Sequence, residues 1–416
     1  MSKIREYLES HKEEMINFLA ELVAVRSVQN EPNGAYPFGK KPAKALEKML
    51  NKCSEYGFAT ENIAWYAGSA DFNNLEPELA ILTHLDVVPE GTGWSSDPYV
   101  LKRSDGRLIG RGTCDDKGPA VASLFALKAL RELAIPLKKG VRLIFGTNEE
   151  NGSADLAYYR TKRNLPPMVF TPDGEYPVIN GEKGMLRVYF SAPFTGISIK
   201  AGKVINAVPE LCINGIDFEA FIYDGKSAHA STPEKGENAI TKFLAYSGYN
   251  NKLLYGLAKL FPHNEFNGES IFGDISGITC VLSLLNTSEN RLNGGIDIRF
   301  PLDRTKAEIS KIICDKLESI GFEIDSCEGT EPHYTDENSE FVQSLLRVYE
   351  RIAGNKGHCI TIGGGTYVHE IEGGVAFGAE FPNEDGNMHG ADEFITEENL
   401  LKNAEIMAEA IIEICG

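Results

Sequence analysis

Apolar residues recur at helical spacing over residues 3–25 and again from Lys44 to Lys52. A spacing of three or four residues gives a helix one apolar face, so both segments are predicted to be amphipathic helices packed on a core. A third helix, apolar around most of its circumference, is predicted over 116–133. Short apolar runs typical of strands lie at 79–82, 141–145 and 168–170. Strands that alternate with helices predict an α/β domain with a largely parallel sheet.

The pattern changes near residue 183, where apolar and polar positions begin to alternate as in strands with one solvated face. Strands are predicted at 185–190, 218–223, 278–284 and 295–300, and helices near 237–247 and 304–320. After His333 a helix, a glycine-rich turn, a strand and a last helix restore the first pattern. We therefore predict an α/β domain formed by 1–183 and 331–416, interrupted by a smaller α+β domain over 184–330.

Length and charge limit the class of protein. A chain of 416 residues exceeds what one hydrophobic core usually supports, which agrees with two domains. With 41 Lys and Arg residues against 60 Asp and Glu residues the net charge is -19, which argues against nucleic acid and anionic membranes as partners. The first residues do not resemble a signal peptide, no apolar run is long enough to span a membrane, and the eight cysteines are dispersed like reduced thiols. The expected compartment is the cytoplasm.

Potential metal ligands follow each of the three predicted strands of the α/β domain. His84 and Asp86 end the first strand, Glu149 and Glu150 follow the second, and Asp173 follows the third. The carboxyl ends of parallel strands meet at one edge of a sheet, where ligands bind. Carboxylates brought close together repel one another unless cations neutralise them. The pattern therefore predicts a site for divalent metal ions.

Each of these segments also has an ordinary structural interpretation. A histidine at a strand end beside a surface aspartate is common, although the i, i+2 spacing would let Asp86 fix the tautomer of a ligating His84. Adjacent glutamates are common in solvated loops, and Asp115 opens a predicted helix, where the helix dipole stabilises acids. His389, in the segment NMHG, and His229, in the segment SAHAS, are ambiguous when each is taken alone.

Taken together, the segments resemble one family of enzymes. They are HLDVVPEGTGWSSDPY (84–99), GRLIGRGTCDDKGP (106–119), GTNEENGSAD (146–155), TPDGEYPVINGEKG (171–184), GKSAHASTP (225–233) and NMHGADEF (387–394). Their order and surroundings are similar to the two-metal peptidase family that contains carboxypeptidase G, aminoacylase and carnosinase. EPHY (331–334) and IGGGTY (362–367) point to its branch of PepV-type bacterial dipeptidases, which includes Xaa-His dipeptidases. The resemblance implies a zinc-peptidase-like catalytic domain with a mostly parallel sheet, interrupted by a ferredoxin-like α+β lid domain.

The resemblance also implies roles for individual residues. The expected metal ligands are His84, Asp115, Glu150, Asp173 and His389, with Asp115 bridging two ions and preceding a cis peptide bond to Asp116. The expected catalytic residues are Glu149 as general base, Asp86, which orients His84, and His229 of the lid, which stabilises the oxyanion. Asn206 and Arg299 of the lid are expected to contact a substrate oxygen and the C-terminal carboxylate. Nitrogen and oxygen ligands without a thiolate suit Zn²⁺ or Mn²⁺, with Co²⁺ as a further candidate.

Such a site implies metal-dependent hydrolysis of short peptides, above all dipeptides. Two ions share a water, and Glu149 takes the proton of that water and passes it to the leaving amine. The alternative is an N-acyl amino acid or succinyl-diaminopimelate-type amidohydrolase with the same metal site. A catalytically silent metal- or peptide-binding protein is a further alternative, but it would be expected to lack the base. A lid that looks shorter than in PepV-type enzymes, between Pro209 and Phe218, leaves monomer and homodimer both open.

Overall fold

The computed structural model describes residues 2–216, 219–247, 251–382 and 384–416. Contacts between residues divide the chain into two compact units. Unit 1 comprises Met1–Asn180, Thr335–Ile360 and Thr366–Gly416, and unit 2 comprises Gly181–Tyr334 and Thr361–Gly365. The α+β domain predicted over 184–330 falls within unit 2.

The helices lie in both units and largely follow the apolar periodicity. In chain order they are α1 (Lys3–Ser10), α2 (Lys12–Val23), α3 (Lys40–Glu55), α4 (Lys117–Glu132), α5 (Ala154–Arg160), α6 (Ala239–Ser247), α7 (Lys252–Leu260), α8 (Glu269–Phe272), α9 (Lys306–Ser319), α10 (Glu340–Ala353) and α11 (Glu397–Cys415). The segment predicted as one helix over 3–25 forms two helices, which are separated at His11. The apolar spacing continues across this break, and for that reason the sequence pattern predicted a single helix. None of the described helices is long and apolar enough to cross a membrane.

The strands are more numerous than the sequence pattern predicted. They are β1 (Ala59–Ile63), β2 (Ala67–Asp71), β3 (Pro77–His84), β4 (Lys102–Ser104), β5 (Arg107–Ile109), β6 (Gly140–Gly146), β7 (Met168–Thr171), β8 (Val178–Glu182), β9 (Gly184–Pro193), β10 (Ser198–Ala201), β11 (Ala207–Val208), β12 (Leu211–Ile216), β13 (Glu219–Asp224), β14 (Ala228–His229), β15 (Thr279–Ser288), β16 (Arg291–Phe300), β17 (Glu323–Thr330), β18 (His333–Tyr334), β19 (Cys359–Ile362), β20 (Val375–Ala376) and β21 (Phe394–Thr396). The predicted strand 218–223 begins outside the described residues, and its remainder lies in β13.

The main sheet of unit 1 is mixed. Its strands lie in the order β1-β2-β6-β3-β7-β20-β8. The pairs β6–β3, β3–β7 and β7–β20 are parallel, whereas β1–β2, β2–β6 and β20–β8 are antiparallel. The parallel centre agrees with the predicted fold class, and the antiparallel margins come from strands that sequence reasoning did not find.

Helices cover both faces of this sheet. Successive side chains of a strand point to opposite faces, so alternate residues of β3 enter two different cores. Leu79 and Ile81 pack in the cluster that holds α4 and α11, while Ala80 and Leu82 pack with residues of α5. This double burial explains why β3 reads as a continuous apolar run rather than an alternating one.

Unit 2 is built on an antiparallel sheet in the order β13-β12-β10-β15-β16-β9-β17. The elements β9, α6, β15, β16, α9 and β17 occur in the order βαββαβ of a ferredoxin-like domain, with β10–β14 inserted before α6 and with α7 and α8 inserted after it. Alternate residues of β9 and β16 enter a core of their own, in which α6 and α9 take part. The strands β10, β12 and β13 extend this sheet beyond β15. Sequence reasoning missed β10 and β12, and β10 has only four residues.

Candidate metal centre

Three parallel strands deliver the predicted ligands to one edge of the unit 1 sheet. β3 lies between β6 and β7, and it ends at His84. The chain leaves β6 and β7 through the segments that carry Glu150 and Asp173. Asp115 lies in the loop that precedes α4, and its peptide bond to the next residue is cis, as expected. His389 lies in the loop before β21.

The five predicted ligands converge around the carboxylate of Asp115. Its Oδ1 lies 2.8 Å from His84 Nε2, which is itself 3.7 Å from Asp173 Oδ2. Its Oδ2 lies 2.8 Å from His389 Nε2, which is 3.2 Å from Glu150 Oε2. The ligand atoms therefore form two groups, each within 4.8 Å, and Asp115 belongs to both. A carboxylate with an oxygen directed at each group is what two neighbouring ions would need in order to share one ligand.

The chemistry of these atoms fits metal ions. His84 Nε2, Asp115 Oδ1 and Glu150 Oε1 are buried and have no hydrogen-bond partner among the described residues. Buried polar atoms are nearly always paired, so unpaired atoms that face one another indicate a ligand between them. A donor set of imidazole nitrogen and carboxylate oxygen suits Zn²⁺, Mn²⁺ and Co²⁺.

The electrostatics of these side chains show why cations would stabilise the site. Burial and the charge of Asp115 raise the pKa of Asp173 from 3.8 to about 7. Burial and Asp115 also raise the pKa of Glu150. Burial alone would lower the pKa of His389, but its hydrogen bonds to Asp115 and Glu150 raise it from 6.5 to about 11. Without metal, protons have to compensate the negative charge of the carboxylates.

We expect the metal-free protein to lose stability as the pH rises from about 5 to 9. Asp173 and His389 both bind protons more tightly in the folded state, so their stabilisation is complete below the unfolded pKa and is lost as the pH rises through the folded pKa. Metal ligands must be deprotonated, so the stabilisation by Zn²⁺ or Mn²⁺ should grow over the same range. Thermal unfolding with chelator and with metal, at several pH values, measures both.

The variant Asp173→Asn is the control for this prediction. It removes the contribution of Asp173 to the pH dependence of stability, which falls between pH 3.8 and about 7. Its metal-free Tm should depend less on pH in the lower part of the range. A metal-free wild-type Tm that rises with pH, or a metal-induced shift that shrinks, would contradict the electrostatic account.

Glu149 directly precedes the predicted ligand Glu150 in the chain, but it belongs to neither group of ligand atoms. Burial and the charge of Asp173 raise the pKa of its carboxyl group well above the usual range. Its main-chain N–H donates to Asp86 Oδ1 at 3.2 Å, and the N–H of Glu150 donates to the other oxygen of Asp86 at the same distance. Asp86 therefore fixes the backbone of both glutamates.

Asp86 was expected to orient His84 through its carboxylate, but its main-chain oxygen lies closer to the histidine. The nearest partner of His84 Nδ1 is the main-chain oxygen of Asp86, at 3.1 Å, while the Asp86 carboxylate lies 3.5 Å away. The main-chain N–H of His84 donates to Asp116 Oδ2 at 3.0 Å. Sequence reasoning gave Asp116 no role, and its position beside Asp115 was the only signal.

The comparisons with known proteins agree with this geometry. A model of the Peptidase family M20/M25/M40 matches residues 80–413. The chain belongs to this peptidase family. The Beta-Ala-Xaa dipeptidase of Lactobacillus delbrueckii subsp. lactis is 34% identical, with 99% of this chain and 98% of the relative covered. The Putative dipeptidase YtjP of Bacillus subtilis (strain 168) is 31% identical, with 97% of each chain covered. The family resemblance found in the sequence is thereby confirmed.

Solved structures of M20 peptidases share the fold. Human carnosine dipeptidase 1 matches with a TM-score of 0.69 at 17% identity, with 99% of this chain and 98% of that chain covered. The Bacillus subtilis YXEP protein, described as a dinuclear metal binding peptidase, matches with a TM-score of 0.61 at 14% identity, with 98% and 99% covered. At such identities the likeness concerns the fold, and it confirms the predicted fold class.

The comparison with the Lactobacillus relative also bears on chain length. Its alignment runs over 470 positions, whereas this chain has 416 residues. The relative therefore contains residues that have no counterpart here. The expected shortening of the lid between Pro209 and Phe218 and the state of assembly stay predictions.

The M20 chain keeps the ends of its metal-site strands in place with residues that sequence reasoning did not assign. A Cβ atom at Gly146, the end of β6, would lie 1.8 Å from the hydroxyl oxygen of Tyr367, so only glycine fits there. That hydroxyl donates to Asp155 Oδ2 at 2.5 Å. The same oxygen accepts from two successive main-chain N–H groups, that of Thr147 at 2.5 Å and the next at 2.8 Å. These bonds hold the backbone that leads into Glu149.

The three lid residues expected from the sequence lie in unit 2. His229 is on β14 and pairs with Ala207 of β11, and the main-chain oxygen of Asn206 accepts from the next N–H after His229 at 2.9 Å. The Ser231 hydroxyl lies 2.6 Å from His229 Nδ1. His229 and Asn206 are thus neighbours, and their catalytic roles stay predictions.

Arg299 is buried near the end of β16. Its Nε donates to Asp297 Oδ1 at 2.7 Å, its Nη2 to the other oxygen at 3.2 Å, and its Nη1 to Gly363 O at 3.2 Å. Asp297 therefore fixes the plane of the guanidinium, which carries five N–H donors in all. The contact with a substrate carboxylate stays a prediction.

Proposed function

We propose that this M20 peptidase hydrolyses dipeptides with two divalent ions, Zn²⁺ or Mn²⁺, at the site formed by the two ligand groups. The observation that carries the proposal is the Asp115 carboxylate, which places one oxygen 2.8 Å from His84 and the other 2.8 Å from His389. His84 and Asp173 would hold one ion, and Glu150 and His389 the other. The name of the Lactobacillus relative supports a dipeptide as the substrate.

The ions and the side chains would contribute different parts of the chemistry. Divalent ions supply Lewis-acid polarisation of the scissile carbonyl and make water more acidic. Glu149, a carboxylate outside both ligand groups, accepts the proton of the attacking water and returns it to the leaving amine. Asp86 holds the main-chain N–H of Glu149, which keeps the base in a fixed orientation.

Unit 2 would supply the groups that recognise the substrate. We assign His229 to the oxyanion, because an imidazolium or N–H donor stabilises charge that develops only in the tetrahedral intermediate. Asn206, which is bonded next to His229, is assigned to a substrate oxygen. Arg299 is assigned to the C-terminal carboxylate, which a guanidinium binds in a bidentate manner. Such a clamp favours substrates with a free carboxylate.

A substrate panel tests the proposed function. The protein loaded with Mn²⁺ or Zn²⁺ is expected to release amino acids from unblocked dipeptides, including β-alanyl dipeptides, at a much higher kcat/KM than from N-acyl amino acids. Dipeptide amides, which lack the terminal carboxylate, should be poor substrates because they do not offer Arg299 the substrate carboxylate that it is assigned to bind. Faster hydrolysis of N-acyl amino acids than of dipeptides would assign the site to the amidohydrolase alternative instead.

A further inference from the structure

A buried ion pair lies directly beside the metal centre of unit 1. Arg111 and Glu393 are 1% and 0% exposed, and Arg111 Nη1 lies 2.5 Å from Glu393 Oε2. Two charges in the interior cost more desolvation free energy than a pair of apolar residues of similar size. A reason other than stability is therefore needed for their place in the fold.

Glu393 holds the loop that carries the bridging aspartate. Its Oε1 accepts from the main-chain N–H groups of Gly112, Cys114 and Asp115 at 3.0, 2.9 and 3.2 Å. The third of these groups belongs to the bridging residue itself. The main-chain oxygen of Glu393 also accepts from Gly110 N at 2.9 Å. Glu393 thus accepts from four main-chain N–H groups of the turn ahead of α4, three of them through its carboxylate.

Arg111 holds the loop that carries His389. Its Nη2 donates to His389 O at 3.2 Å and to Glu90 O at 3.4 Å. The guanidinium also lies over the ring of Trp94, 5.2 Å from its centroid. His389 has a φ of 61°, in the left-handed region that non-glycine residues rarely adopt. A backbone in that conformation persists when surrounding contacts determine it, and Arg111 supplies one of them.

We infer that Arg111 and Glu393 are positioning residues that couple the Asp115 loop to the His389 loop and so hold these two members of the group Asp115, Glu150 and His389 in register. Glu393 fixes Asp115, Arg111 fixes His389, and the ion pair joins the two. The inference rests on the proposed two-metal site. Its core, the mechanical link between the two loops, is a property of the metal-free protein.

The test uses the double variant Arg111→Met with Glu393→Gln, which leaves no unpaired charge in the interior. Hydrogen exchange of the metal-free full-length protein, read by mass spectrometry, should show faster exchange in both 110–116 and 387–392. Metal titration by calorimetry should show affinity for Zn²⁺ about 10–100-fold weaker than in the wild type. The matched control is Arg142→Met with Asp71→Asn, a bidentate pair with distances of 2.7 and 2.8 Å on β6 and β2. The control should leave both segments and the metal affinity unchanged.

A second variant covers the case in which the double variant does not fold. Arg111→Lys keeps the charge balance but cannot reach both Glu393 and His389 O, so exchange should increase in 387–392 and Zn²⁺ should bind more weakly. Unchanged exchange in both segments, or exchange that increases only around position 393, would overturn the coupling. Because hydrogen exchange needs no metal, it separates this result from a failure of the proposed function, in which the wild type itself would bind no ions.

Discussion

Replacing Glu149 by glutamine is expected to lower kcat by about 10²–10⁴-fold, the usual contribution of a general base, while both ions stay bound. Glutamine keeps the size of the side chain but cannot accept the proton of the attacking water. Since Glu149 belongs to neither ligand group, the metal content should not change. Steady-state kinetics with a dipeptide and metal analysis of the same sample measure the two effects.

The neighbouring glutamate provides the matched contrast. Glu150 lies 3.2 Å from His389 Nε2 within a ligand group, so Glu150→Gln should lose metal as well as activity. Turnover of Glu149→Gln comparable to that of the wild type would remove Glu149 from the role of base. Equal loss of metal from the two variants would make both residues ligands.

The second large effect is expected for His229→Ala. Loss of one oxyanion donor typically lowers kcat by about 10²–10³-fold. His229 is in unit 2, whereas both ligand groups are in unit 1, so the metal content and the metal affinity should stay those of the wild type. Comparison of kcat with bound metal measured by calorimetry tests the assignment.

His263→Ala is the control for that variant, because His263 is a partly exposed histidine of the same unit, 3.7 Å from Glu237. It should keep the wild-type kcat. If His229→Ala lost metal in proportion to activity, His229 would be a ligand or a folding residue. A wild-type kcat in His229→Ala would exclude it from the reaction.

The convergence of the ligands could be predicted because chemistry and periodicity agree at the strand ends. β3 reads as a strand from its apolar run, and a parallel neighbour on each side places its last residue beside the ends of β6 and β7. His84, one of the two glutamates 149 and 150, and Asp173 follow from that rule, whereas the choice of Glu150 as the ligand came from the family resemblance. Asp115 and His389 lie in loops, so their place in the site came from the family resemblance.

The residues that hold the ligands could not be predicted in the same way. Asp116, Asp155 and Glu393 are buried carboxylates whose partners are mainly main-chain N–H groups. Every residue except proline offers such a group, so no residue type in the sequence marks the partner. Arg111 contacts Glu393 across most of the chain length, and only the fold brings them together.

We propose that two divalent ions occupy the groups joined by Asp115. Elemental analysis of the purified protein, after saturation with Zn²⁺ or Mn²⁺ and removal of unbound metal, counts the bound ions. Two ions per chain are expected in the wild type and fewer in Asp115→Asn, which cannot supply a negative bridging group. One ion or none in the wild type, or two in the variant, would show that Asp115 does not join two metal sites.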